Sequence, residues 1–139
     1  MYNRPSLPGT SDTSLFIEAW MLLWSCRIAL WCVPFPRVLA FAQFCAELRS
    51  SPRLLTAEQA VRCIQRTLTF TWRASCLTQA LAGWIMLTRH GASSRINIGV
   101  ASPQERTFSA HAWLQAGGRV ILGDTDLTPY HVIWTLPPE

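Results

Sequence analysis

Apolar residues run almost continuously through the first third of the chain. Residues 14–33 are interrupted only by Glu18, Arg27 and a few small polar residues, which leaves them short of the ~18 uncharged residues that a membrane-spanning helix needs. We therefore expect a helix that is buried or faces a partner, in preference to one on a membrane surface. A second helix is predicted over 37–49, and the Pro- and Ser-rich residues 1–13 read as a flexible tail.

The middle of the chain carries clear signals for where two helices begin and end. Thr56 and Gln59 have the spacing of a capping box, which predicts a helix from 57 to 69. A further helix is predicted over roughly 75–90, because Gly91 follows it in the position where helices commonly terminate.

In the last third the pattern changes to short β-branched and aromatic runs. The segments "RINIGV", "TFSAHAWLQ" and "RVILGD" are separated by turn residues and predict an antiparallel sheet. Helices followed by strands indicate an α+β domain. We expect one domain over 14–139, with an apolar helical part at 14–55.

Composition narrows the classes of function. All 12 basic residues are Arg and the net charge is +4, so lysine-based catalysis is excluded. Because the arginines are scattered singly, their charge fits a role in solubility or an acidic partner peptide better than a nucleic-acid-binding face. The five cysteines form no C-x-x-C pair, which gives no sign of a metal site, and we expect free thiols in a cytoplasmic protein. Nothing in the sequence calls for a cofactor.

One cysteine has a setting suited to catalysis. Cys76 falls in the first turn of the helix predicted over 75–90, where unpaired backbone N–H groups and the helix dipole favour a thiolate. Taken alone, a structural cysteine is the more common explanation. Cys63 is predicted in mid-helix, and the remaining three lie in apolar helical segments, so Cys76 is the candidate nucleophile.

A nucleophilic cysteine needs a base, and His111 is the best of three histidines. His90 is fourteen residues further along the same helix, about 21 Å away. His131 has no evident orienting carboxylate. His111 lies on a predicted strand, in the segment that follows the helices.

The hairpin after His111 suggests a third catalytic residue. If Gly117 and Gly118 form a two-residue type I′ turn, Trp113 pairs with Leu122 and His111 pairs with Asp124. Opposite residues have Cβ atoms about 4.5–5.5 Å apart, which suits a carboxylate that orients an imidazole. Asp126 is the weaker candidate, and a three-residue loop would slip the register by one residue.

The motifs "ASCLTQALAGWIMLTRHG", "INIGV" and "FSAHAWLQAGGRVILGD" together resemble the stand-alone leader peptidases of lasso-peptide biosynthesis. The resemblance covers roughly residues 60–126. It implies a papain- or transglutaminase-like cysteine peptidase core with Cys76, His111 and Asp124 as the catalytic triad. It also implies that the substrate is a ribosomally made precursor, and that a separate leader-recognition protein and a lasso cyclase are partners.

Two other functions use the same residues. A transglutaminase-like acyltransferase would pass the acyl group to an amine instead of water, and a non-catalytic module would bind peptides without turnover. The apolar segment 14–48 is expected to dock a partner or the leader, and a membrane surface is the weaker alternative for it.

Overall fold

The computed structural model describes residues 10–48, 56–68, 74–101, 109–123, 127 and 129–137. Four helices precede a four-stranded sheet, which confirms the predicted α+β class. The elements are α1 (Thr10–Cys32), α2 (Phe35–Glu47), α3 (Ala57–Leu68), α4 (Cys76–Arg89), β1 (Arg95–Ala101), β2 (Ala110–Ala116), β3 (Arg119–Leu122) and β4 (Tyr130–Leu136).

The predicted helices form, with shifted ends. α1 begins at Thr10, four residues before the predicted start, and α2 begins at Phe35 because a proline in a first helical turn loses no intrahelical hydrogen bond. The capping box at α3 is confirmed: Thr56 N–H donates to Gln59 Oε1 at 3.0 Å, and Gln59 N–H donates to Thr56 Oγ1 at 3.3 Å.

Helix α4 lies at the centre of the molecule. Nine of its 14 residues are buried. The helix contacts α1, α2 and α3 as well as the sheet. Gly83 allows a close approach, because an ideal Cβ at that position would lie 2.8 Å from the side chains of Leu114 and Leu122. The core therefore sits between α4 and one face of the sheet.

The sheet is antiparallel, with strand order β3-β2-β1-β4. β1 and β2 pair without interruption from Arg95 opposite Gln115 to Val100 opposite Ala110. The last strand, β4, was not among the predicted strands, although its "YHVIWTL" sequence is β-branched and aromatic.

The Gly-Gly hairpin forms, but its predicted register holds only next to the turn. Gly117 and Gly118 have φ of 58° and 74°, as a type I′ turn requires. Beyond the turn, Ile121 is an extra residue on β3, so that Leu122 pairs with Leu114 and the predicted pairing with Trp113 is wrong. The count that set Asp124 opposite His111 fails at this bulge.

Candidate active site

Cys76 is the first residue of α4, as the sequence predicts. Ser75 is the N-cap, and its hydroxyl accepts a hydrogen bond from the backbone N–H of Thr78 at 3.2 Å. The Gln79 side-chain amide donates to the Ala74 carbonyl at 2.9 Å and holds the chain just before the helix. The half-buried Cys76 thus lies at the positive end of the helix dipole.

His111 is held in one orientation by the chain of the neighbouring strand. Its Nε2 lies 2.9 Å from the carbonyl oxygen of Gly123. A carbonyl only accepts, so Nε2 must carry the hydrogen and donate it. In the neutral ring this leaves Nδ1 as the basic nitrogen.

Two aromatic residues flank the imidazole. The Trp113 ring stacks at a centroid distance of 6.1 Å, and the Tyr130 ring lies at 5.4 Å. The Tyr130 hydroxyl is 3.1 Å from the hydroxyl of Ser109, which holds that ring in place. Tyr130 comes from the strand that sequence reasoning missed, and the β-branched and aromatic pattern of 130–136 was the available signal.

The connectivity of α4, β1 and β2 indicates that Cys76 and His111 lie toward the same end of the molecule. A connection of five residues joins α4 to β1, so α4 runs antiparallel to β1 and parallel to β2. Gly83 packs beside Leu114. From that contact Cys76 lies about 10 Å back along the helix, and His111 lies about 10 Å back along the strand.

Cys76 belongs to the helix on one face of the sheet, and the His111 side chain lies on the other face. Leu114 faces α4, and His111 is three positions earlier on an uninterrupted strand, so its side chain lies on the opposite face with Trp113. Among the described side chains, no hydrogen bond joins Cys76 to His111. Catalytic hydrogen bonds are often long or unformed without substrate.

Asp124 and Asp126 lie outside the described residues. The carbonyl that accepts from His111 belongs to Gly123, directly before Asp124 in the chain. With the hairpin count overturned, Asp124 rests on the family resemblance alone.

The remaining cysteines do not share the setting of Cys76. All five are free thiols, as expected. Burial raises the pKa of Cys26 to about 12, with a smaller contribution from Cys45. Burial also raises the pKa of Cys45, against an opposing effect of Arg89. Both therefore stay protonated at neutral pH.

The other two histidines have different surroundings. His90 Nε2 lies 2.9 Å from a carboxylate oxygen of Glu18, so this residue ties the end of α4 to α1. His131 is exposed on β4. Within the described ranges, no three histidine, cysteine or acidic side chains are close enough to hold a metal ion.

Comparison with protein families decides the assignment of the fold. A model described as the transglutaminase-like superfamily matches residues 20–135, which span the second half of α1, all of α2, α3 and α4, and nearly all of the sheet. The chain belongs to the transglutaminase-like superfamily. This membership indicates cysteine-peptidase or acyltransferase-type activity. Neither the curated proteins nor the solved structures compared with the chain give a significant match.

Proposed function

We propose that this protein is a cysteine peptidase that removes the leader from a ribosomally made lasso-peptide precursor before macrolactam cyclisation. The observation that carries the proposal is the position of Cys76, capped by Ser75 as the first residue of α4, in a chain of the transglutaminase-like superfamily. The motifs around Cys76 and His111 support the narrower assignment to leader removal.

In the proposed reaction, the Cys76 thiolate attacks the carbonyl carbon of the scissile peptide bond. The helix N-terminus stabilises the thiolate, and the backbone N–H of Cys76 is a donor available to the oxyanion of the tetrahedral intermediate. His111 accepts the thiol proton and returns it to the leaving amine, and water then hydrolyses the acyl-enzyme. Nδ1 is the nitrogen suited to this transfer, because Nε2 donates to Gly123.

Asp124, the residue after Gly123 in the chain, is proposed as the third member of the triad, with a carboxylate that stabilises the imidazolium formed when His111 accepts the thiol proton. In papain-like enzymes such a third group fixes the tautomer and the plane of the imidazole. The stack of Trp113 and the ring of Tyr130 support the same orientation from the sheet face.

We also propose that the peptidase works with a separate leader-recognition protein and upstream of a lasso cyclase. A short segment near the scissile bond gives few contacts, and tethering by a second protein raises the effective substrate concentration to the order of millimolar. Cleavage by the isolated chain should then be slow and should rise strongly when the recognition protein is added.

The test is cleavage of a precursor peptide followed by mass spectrometry, with and without that recognition protein. Cys76→Ala and His111→Ala should each abolish leader release while circular dichroism stays unchanged, and Cys32→Ala is the matched control at an exposed thiol. Asp124→Asn should slow cleavage more than Asp126→Asn. Release at the wild-type rate by either alanine variant would refute the assignment. Transfer of the acyl group to an added amine in place of hydrolysis would point to an acyltransferase.

A further inference from the structure

Helix α1 carries apolar residues on both of its faces. Ala19, Leu23 and Cys26 are buried against the rest of the protein. The opposite side presents large apolar side chains at helical spacing, here called the outer stripe: Ile17, Trp20, Met21, Trp24, Ile28 and Trp31. Their exposed fractions range from 38% at Trp24 to 92% at Trp31. The outer stripe is about 21 Å long at 1.5 Å per residue.

Such a surface is unusual on a protein that contacts only water. A helix that is apolar all round is normally buried, and contiguous exposed apolar surface marks a docking site. Although Glu18 and Arg27 interrupt it, the segment Thr13–Cys32 is long and apolar enough to cross a membrane by length and composition. The outer stripe is the exposed face of this apolar segment.

The inner face of α1 shows that the helix lies along the protein. Glu18 Oε2 is 2.9 Å from His90 Nε2, and Glu18 Oε1 is 3.2 Å from the Arg89 guanidinium. These contacts join α1 to the end of α4. Spanning a bilayer would break them and place the carboxylate in hydrocarbon, which costs several kcal/mol. An orientation in the membrane plane keeps them.

A cationic side chain, that of Arg27, lies beside the outer stripe. The Arg27 guanidinium lies over the Trp24 ring, 5.9 Å from its centroid, whereas Glu18 points to the inner face. Trp24, Arg27, Ile28 and Trp31 also line a shallow cavity of about 240 Å³ at the end of the helix. Tryptophan and arginine are the residues that favour the boundary between headgroups and acyl chains.

We propose that the outer stripe of α1 binds the surface of an anionic lipid bilayer, with α1 lying in the plane of the membrane. The aromatic and aliphatic side chains enter the boundary of the acyl chains, and Arg27 contacts lipid phosphates. This inference does not depend on the proposed peptidase activity. It would place the enzyme's chemistry at a membrane surface.

The experiment is co-sedimentation of the full chain with vesicles of phosphatidylcholine, with and without a third of phosphatidylglycerol. The wild type should bind the anionic vesicles more tightly. Trp20→Gln combined with Trp31→Gln should weaken binding by at least about tenfold, since each buried aromatic ring contributes substantially to partitioning. Ile133→Gln replaces an exposed apolar residue on β4, outside the outer stripe, and should bind as the wild type does.

Four outcomes would overturn the proposal. The first is that the wild type remains in the supernatant at millimolar lipid. The second is that the double variant binds as well as the wild type. The third is that neither protein binds vesicles while the wild type forms a dimer, or a complex with the recognition protein, that the double variant loses; this would assign the outer stripe to a protein partner. The fourth is retention on the vesicles after alkaline carbonate treatment, which would indicate a spanning helix and refute the in-plane orientation.

Discussion

Replacing Gly123 with alanine should destabilise the hairpin and displace the group that orients His111. Gly123 has φ of 78°, and an ideal Cβ there would lie 2.8 Å from the Ala112 carbonyl oxygen and 3.1 Å from the Trp113 Cα and Cβ. The contact with Ala112 is a contact with a backbone atom. No change of rotamer relieves it, so β2 and the residue after β3 must move apart.

The magnitude follows from a matched comparison within the same hairpin. Gly118 has a similar φ of 74°, and an added Cβ would meet nothing within 4 Å. Gly118→Ala should therefore lower the free energy of unfolding only by the cost of a left-handed backbone at a residue with a Cβ, about 1–2 kcal/mol. Gly123→Ala adds the overpacking of a close contact, typically ~1–3 kcal/mol. The difference between the two variants isolates the close approach.

Urea unfolding of both variants measures this difference, and precursor cleavage measures its effect on the site. Because the Gly123 carbonyl accepts from His111 Nε2, Gly123→Ala should also slow cleavage, while Gly118→Ala should leave the rate near that of the wild type. Equal destabilisation by the two substitutions would refute the argument from close approach. An unchanged cleavage rate in a destabilised Gly123→Ala would show that this carbonyl does not position the base.

Two further predictions concern groups away from the site. Burial raises the pKa of Cys26 from 9.0 to about 12. Between pH 9 and pH 12 the thiol ionises in the unfolded chain but stays protonated in the folded protein. The free energy of unfolding should therefore be unaffected below about pH 9 and should fall as the pH rises toward 12. Urea unfolding at pH 7 and pH 10.5 should show that the free energy of unfolding falls between these pH values, and that it falls less in Cys26→Ala. An equal fall in the wild type and the variant would contradict this prediction. Glu18→Gln should lower the free energy of unfolding, measured by urea denaturation, by about 1–3 kcal/mol, because Arg89 and His90 lose a charged partner. Glu47→Gln, at an exposed position, is the control, and equal costs would mean that the ion pairs add nothing.

Local signals in the sequence were sufficient for the helices and for the position of Cys76 at the start of a helix. The capping box of α3 and the helix-start position of Cys76 depend on residues within a few positions of each other, so they can be recognised without the fold. The Gly-Gly turn can be recognised in the same way, because a type I′ turn needs positive φ angles at only two adjacent residues, and glycine adopts them readily.

The surroundings of His111 could not be predicted in the same way. The bulge at Ile121 lies within the short strand Arg119–Leu122, which contains no glycine to mark it. The acceptor for His111 is a backbone carbonyl, which every residue possesses and no side-chain pattern identifies. Tyr130 reaches the site through β4, which pairs with β1 about thirty residues earlier in the chain, and such pairing is set by tertiary structure.

The same packing contact that builds the core also sets how Cys76 and His111 are placed. α4 rests on the hairpin at Gly83, where an ideal Cβ would lie 2.8 Å from Leu114 and Leu122. A side chain there would meet the ends of these two leucine side chains, so the leucines or the helix must shift. Because α4 carries the thiol at its first residue and β2 carries the imidazole, a shift of the helix would move Cys76 relative to His111. The absence of a side chain at Gly83 thus links close packing of the core to the geometry on which the proposed chemistry depends.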